Sequence, residues 1–502
     1  MRSLRYRFTG ARNRADAKTA QTVRPFVAAW LRPVLPVLLA SMLPLSVGAG
    51  SAEPAGGALS GERPRLIVST DIGGTDPDDF QSMVHLLLYA DVLDVEGLVS
   101  SPPGQGRREH ILEVIGRYEA DYLKLRSHSE RYPSPEHLRQ ITKQGALDAA
   151  RGAGVGRSTE GSEWIARCAR RDDARPLWVL VWGGIDDVAQ ALHDEPSIES
   201  RLRVYFIAGP NKKWGIPAYE YVVARHPGLW MIESNDTYRG WFVGGDQRGD
   251  LDNQAFVSRH AAGTGALGAF FAGLLEGKIK MGDTPSVAYL LRGTPVDPTA
   301  PSWGGRYVRA WPRQRLVVRG RTARASDEIE QFGILELVYP LSRGSARAAA
   351  ALVVDGQRFP ADVDHERREI RFRFMPKDAK RWSYRIESGD AMLDGQRGEF
   401  TSVRPSPRRA AEPDPRLRHW FTDDPSPEWS DGSHLGAKTV SRWRVDFLED
   451  FARRLDRCRA HRTEPSRASR RRPSEELPGI HRTSGAADPG RPANARSSSR
   501  AR

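Results

Sequence analysis

The chain is 502 residues long, 28% charged and 39% hydrophobic, which excludes both a single small module and a fully disordered polymer. Its formal charge of +13 sits at the ends: residues 1–52 carry eight basic and one acidic side chain, residues 459–502 carry eleven Arg and four acids, and residues 53–458 are left at −1. The central part therefore has no basic bias toward phosphate backbones or anionic membranes, and nucleic acid is not an expected partner.

The N-terminus is basic through Lys18 and Arg24 and turns apolar from Pro33 through VLPVLLASMLPLSVGA, closing on small residues around Ala49 and Ala52. This predicts a signal peptide over 1–52 and an exported protein, periplasmic or extracellular, with no membrane span after its removal. At about 15 residues the uninterrupted apolar run is shorter than the ~20 that cross a bilayer, and a retained anchor is the alternative. Two cysteines, Cys168 and Cys458, do not make a disulfide framework, and two unpaired thiols are the simpler expectation.

After a Gly/Ala/Pro/Ser linker at 53–62, short apolar runs alternate with helical patterns. RLIVST (65–70) precedes the helical spacing of FQSMVHLLLYA (80–90), and VEGLVSS (95–101) precedes a helix around 108–122. LWVLVW (177–182) leads into a short helix from Asp187, and RVYFIAG (203–209) and LWMIES (229–234) follow. Near-continuous apolar strands separated by helices predict an α/β domain over 53–312, with a Rossmann-type parallel sheet covered on both faces. Ligands in such sheets bind at the strand C-terminal ends.

From 313 the pattern changes to alternation. ILELVY (334–339), ALVVDG (351–356), EIRFRF (369–374) and WSYRIES (382–388) predict a small all-β, sandwich-like domain over 313–403. Residues 404–458 read as a Trp-containing linker and a helix whose Val440, Trp443, Phe447, Phe451 and Leu455 recur at helical spacing and need a surface to dock on. The Arg/Ser/Pro/Gly composition of 459–502 predicts a disordered basic tail.

STDIGGTDPDDF (69–80) places Asp71, Asp76, Asp78 and Asp79 between a strand and a helix. Four carboxylates at one strand end repel one another, and a hard divalent cation, Ca²⁺ or Mg²⁺, relieves that best. Gly73 and Gly74 allow the tight turn that lets ligands converge. The competing reading is that Asp76 or Asp78 caps the following helix while the others face water. DIGGT also opens the phosphate-binding hairpin of actin-like sugar kinases, but a strand should follow there, whereas Phe80, Met83, Val84, Leu87 and Leu88 have helical spacing.

The strand, acidic loop and helix resemble the start of the calcium-dependent nucleoside hydrolases, with their Asp-Thr-Asp-x-Gly-x-Asp-Asp motif. Within that superfamily they are similar to the exported nucleoside-hydrolase-like domain of cellulose-binding bacterial proteins. The similarity runs over about 65–312 and implies specific roles. Asp71 would hold Ca²⁺ and activate water, Asp79 and Asp283 (in MGDTPSVAYLL) would chelate the metal, and the carbonyl of Trp182 (in LVWGGIDDVAQAL) would complete the set. Asp78 would hold a sugar hydroxyl, and Glu233 and Asn235 (in IESN) the 5′-hydroxyl. Read without the resemblance, Asp186, Asp187 and Asp283 are ordinary helix caps, and Glu233 and Asn235 are ambiguous.

Three departures bear on substrate. The Asp71-to-Asp79 spacing is three residues longer than in nucleoside hydrolases, Gly282 stands where many members carry a His that assists the leaving base, and only Gln105 is a loose match for an Asn expected after the second strand. Trp214, Trp230 and Trp241 are stacking candidates or core. The expected function is an exported metal-dependent hydrolase of N-glycosyl or related glycosyl bonds, acting on a small glycoside, nucleoside or polysaccharide. The alternative is a non-catalytic carbohydrate- or cellulose-binding protein on the same fold. A homo-oligomer is left open.

Overall fold

The computed structural model describes residues 62–74, 76–342 and 349–459. The expected signal peptide and nearly all of the basic tail lie outside these residues.

Seven strands are laid down first: β1 (Arg65–Thr70), β2 (Asp94–Ser100), β3 (Thr142–Gln144), β4 (Leu177–Val181), β5 (Leu202–Ile207), β6 (Trp230–Ser234) and β7 (Tyr307–Arg309). Every residue of β1, β4 and β6 is buried, as expected for strands covered on both faces. The first six lie side by side in one sheet in the order β3-β2-β1-β4-β5-β6, parallel to one another. Strand order reverses between β1 and β4, and the crevice beyond their C-terminal ends is where a doubly wound sheet receives ligands.

The β-rich region that follows contributes β8 (Arg315–Arg319), β9 (Glu328–Glu330), β10 (Ile334–Pro340), β11 (Ala350–Val354), β12 (Gln357–Pro360), β13 (Asp362–Asp364), β14 (Glu369–Phe374), β15 (Arg381–Ser388) and β16 (Arg397–Val403). A four-stranded sheet, β13-β14-β10-β8, and a five-stranded sheet, β12-β11-β15-β16-β9, share one apolar core. The alternation of EIRFRF is the reason: Ile370, Phe372 and Phe374 point inward against Trp382 and Phe400, with arginines between them facing outward.

The segment after the sandwich does more than link. Residues Trp420–Asp423 form β17, which enters the first sheet between β6, to which it is parallel, and β7, to which it is antiparallel. Asp423 then accepts the backbone N–H groups of Asn235, Asp236 and Thr237 at 2.9–3.2 Å, fixing the end of β6. Four residues are too few to carry a strand pattern, so only tertiary pairing shows this element.

The helix Arg444–Asp456 docks on the α/β domain. Phe447 stacks on Trp241 at 3.8 Å, Phe451 and Leu455 are buried with it, and Tyr89 donates its hydroxyl to Asp450 at 2.6 Å. Cys168 and Cys458 are buried free thiols in separate core clusters.

Candidate functional site

The end of β1 delivers Asp71, and the helix Asp78–Leu88 begins with Asp78 and Asp79, so the acidic loop spans the crevice mouth. Asp283 arrives from a distant loop, as the residue before the helix Thr284–Leu291. One carboxylate oxygen from each of Asp78, Asp79 and Asp283 lies within 4.8 Å of the other two. Asp71, Asp78, Asp79 and Asp283 are each no more than 8% exposed.

Burial and mutual repulsion raise these carboxyls. Asp71 is pushed well above the ordinary range by burial and then by Asp79 and Asp78, and Asp283 by burial and then by the same two residues. Burial and then Asp76 push Asp78 well up, and burial lifts Asp79 to about 7 even though Thr70 donates its hydroxyl to it. The donor set is all oxygen, which suits a hard cation. The informative residue is Asp283: its side chain makes no capping bond to its own helix, and among the described residues its buried Oδ2 has no hydrogen-bond partner. An orphaned buried carboxylate oxygen beside two other carboxylates is a position whose burial a proton or a cation would offset.

The other sequence-derived candidates fall into two groups. Trp182 follows β4 next to Asp71, and a Cβ on neighbouring Gly183 would stand 2.8 Å from Asp71 Cβ. The Trp182 carbonyl accepts Asn211 Nδ2 at 2.6 Å, which leaves its second lone pair for another partner. Glu233 and Asn235 instead form a buried network. Lys212 Nζ donates to Glu233 at 2.6 Å, Tyr219 donates its hydroxyl to it at 3.1 Å, and Arg313 lies 3.4 Å away. Burial would raise Glu233, but the charges of Arg313 and Lys212 hold it at about 2. Asn235 donates to Thr422 and to the Glu233 carbonyl, and no described hydrogen bond joins either side chain to the acidic cluster.

Asp186 and Asp187 make no side-chain cap on their helix, contrary to the simplest reading of the sequence. Asp187 accepts Ser101 and Thr159 hydroxyls, both at 2.6 Å, and Asp186 accepts Ala150 N–H at 2.7 Å, so both tie the crevice loops together. Asp76 does take the Asp78 N–H at 3.2 Å, the capping role read for it. Gln105 is exposed, Trp241 and Trp230 are core, and Trp214 packs on Phe359 at 4.6 Å.

Lys280 is the residue the sequence reading missed. Its ammonium pairs with Asp76 and lies 3.5 Å from Asp78 Oδ2, inside the acidic loop. A lysine two residues before Gly282 carries no signal of this, because the contact is made across the fold.

Residues 65–307 match the family model described as the nucleoside hydrolase-like domain of cellulose-binding Sde182. These residues are similar to a nucleoside hydrolase-like domain. A nucleoside hydrolase-related protein from Saccharophagus degradans, associated with carbohydrate metabolism, aligns at 18% identity over 68% of this chain and 100% of its own, with a TM-score of 0.41. A purine-preferring ribonucleoside hydrolase from Gardnerella vaginalis aligns at 12% identity over 78% and 98%, with a TM-score of 0.34. An inosine-uridine preferring nucleoside hydrolase from Bacillus anthracis aligns at 10% identity over 70% and 97%, with a TM-score of 0.30. No curated protein sequence matches.

Proposed function

We propose that this nucleoside hydrolase-like protein is an exported, divalent-metal-dependent hydrolase of glycosyl bonds. The observation that carries this reading is the buried cluster of Asp78, Asp79 and Asp283, with an orphaned oxygen on Asp283. Asp79 and Asp283, with Asp71 and the Trp182 carbonyl, would hold the cation, and Ca²⁺ fits the oxygen donors. When bound, the cation supplies charge compensation among the carboxylates and a weak acidifying pull on water.

Asp71, whose carboxyl burial raises well above the ordinary range, suits the role of accepting a proton from water as that water attacks an anomeric carbon. Asp78, whose Oδ2 accepts the Gly282 N–H at 3.1 Å, is held in place to orient a sugar hydroxyl. Glu233 and Asn235 shape the crevice wall through Lys212 and Thr422 in this reading. The predicted signal peptide and the cellulose-binding family support an extracytoplasmic setting, and no helix among the described residues is long and apolar enough to cross a membrane. Metal analysis of the purified chain, followed by a panel of nucleosides and oligosaccharides with and without Ca²⁺, tests the proposal. Turnover that is indifferent to chelation would overturn it.

Lys280 favours a second reading. Its ammonium already partly neutralises Asp76 and Asp78, as a resident cation would in a non-catalytic carbohydrate-binding protein. Retention on insoluble cellulose without product formation at any metal concentration would select that reading.

A further inference from the structure

Between the two domains lies a cavity of about 150 Å³. The α/β domain contributes Lys213, from the turn after β5. The sandwich contributes Lys377, from the loop joining β14 to β15, with Gln357, Asp355, Phe374 and Trp382. Lys213 is only 8% exposed, and its ammonium donates to the neutral Gln357 Oε1 at 2.6 Å. Among the described residues, neither Lys213 nor Lys377 forms an ion pair with a carboxylate. Two buried or half-buried ammonium groups that share a cavity repel each other, and both are lowered: Lys213 to about 8 by burial and then by Lys377, and Lys377 by burial and then by Arg239. A bound anion removes that penalty.

The rest of the lining narrows the ligand. Asp355, paired with Lys380 at 2.8 Å, would repel a bare oxyanion but accept a hydroxyl donor, and Gln357 can do the same. Phe374 and Trp382 supply apolar surface. Cations, a carboxylate, an amide and aromatic rings together suit a ring that bears one carboxylate and several hydroxyls. The place is also informative. Lys377 is close enough to feel the charges of Arg239 and Lys280, and Lys280 reaches Asp78 in the acidic cluster.

We propose that this cavity binds a hexuronic acid unit of the substrate, so that the glycoside cleaved at the acidic cluster is an acidic sugar held at its carboxylate by Lys213 and Lys377. This rests on the glycosyl-hydrolase reading for the word substrate, but the binding itself does not require the metal.

Calorimetric titration of the full chain in metal-free buffer at constant ionic strength, with glucuronate, galacturonate, glucose and inorganic phosphate, tests it. At least one uronate binds about tenfold or more tighter than glucose and phosphate, and Lys377→Gln and Lys213→Gln each weaken it about tenfold, as expected for loss of a charge-assisted hydrogen bond. Lys377 is half-buried on a loop, so its variant remains informative if Lys213→Gln fails to fold. Equal binding of uronate and glucose, equal binding of phosphate, no binding at all, or unchanged affinity in Lys377→Gln overturns the proposal. None of these results bears on metal-dependent turnover, so the two readings fail separately.

Discussion

Gly282 donates its backbone N–H to Asp78 Oδ2 at 3.1 Å, and a Cβ at that position would stand 2.4 Å from the same oxygen. A side chain at this position cannot be accommodated without moving Asp78. Gly282→Ala is therefore expected to raise KM for a glycoside substrate by about tenfold, since overpacking of a tight site costs ~1–3 kcal/mol. Steady-state kinetics of the variant check this, and a KM equal to that of the parent would show that Asp78 does not depend on the glycine.

Asp79→Asn should have opposite effects on the two states of the protein. Removing one of several repelling buried carboxylates raises the melting temperature of the metal-free chain, while the rise on adding Ca²⁺ disappears along with metal-dependent turnover. Thermal melts with and without chelator read both effects.

The acidic cluster also sets a pH dependence. Asp79 is raised from 3.8 in the unfolded chain to about 7 in the folded one, so its contribution favours the folded state below pH 4 and is lost as pH rises through 7. Asp71, Asp78 and Asp283 shift in the same direction. Metal-free protein should lose stability between pH 4 and 8, and the increment from Ca²⁺ should grow over the same range because protonated carboxyls do not bind it. Melting curves at stepped pH, with chelator or calcium, measure the two slopes, and a calcium increment independent of pH would contradict the assignment.

Lys212 and Glu233 form an ion pair with side chains 0% and 1% exposed. Glu233→Gln leaves the Lys212 ammonium buried beside Arg313 and should cost about 3–5 kcal/mol. The Lys212→Met, Glu233→Gln double variant should recover part of this loss in urea denaturation, and strict additivity would mean that the pair is not coupled.

Phe447→Ala removes a ring stacked on the fully buried Trp241 and should destabilise the chain by about 3–5 kcal/mol. A change below 1 kcal/mol in the same denaturation experiment would mean that the C-terminal helix rests on the α/β domain without supporting it.

Local pattern carried much of this architecture. The apolar run of β1, the helical spacing of Phe80 to Leu88, and the alternation in Glu369–Phe374 each express a local preference within a few residues; the structure forms all three elements and buries the expected faces of the two strands, whereas the helix is buried on nearly every side and Phe80 is only partly covered. The crowding of Asp71, Asp76, Asp78 and Asp79 is equally visible, because all four fall within one short loop segment. What escaped notice depends on contacts between distant segments. The insertion of β17, the Lys280 ammonium between Asp76 and Asp78, and the engagement of Glu233 by Lys212 all require the folded chain to bring together groups that no periodicity links. Asp186 and Asp187 show the same limit, since their position at a helix start suggested caps while their carboxylates serve neighbouring loops.

The late arrival of β17 constrains how the protein can be made. A ribosome releases β6 and β7 long before Trp420 emerges, so during synthesis the nascent sheet has a vacant lane with unpaired backbone groups on the β6 side. A recombinant fragment ending after the sandwich would keep that lane open and expose a sticky edge. Expression trials should therefore keep residues 420–456 in the same polypeptide as the crevice they complete.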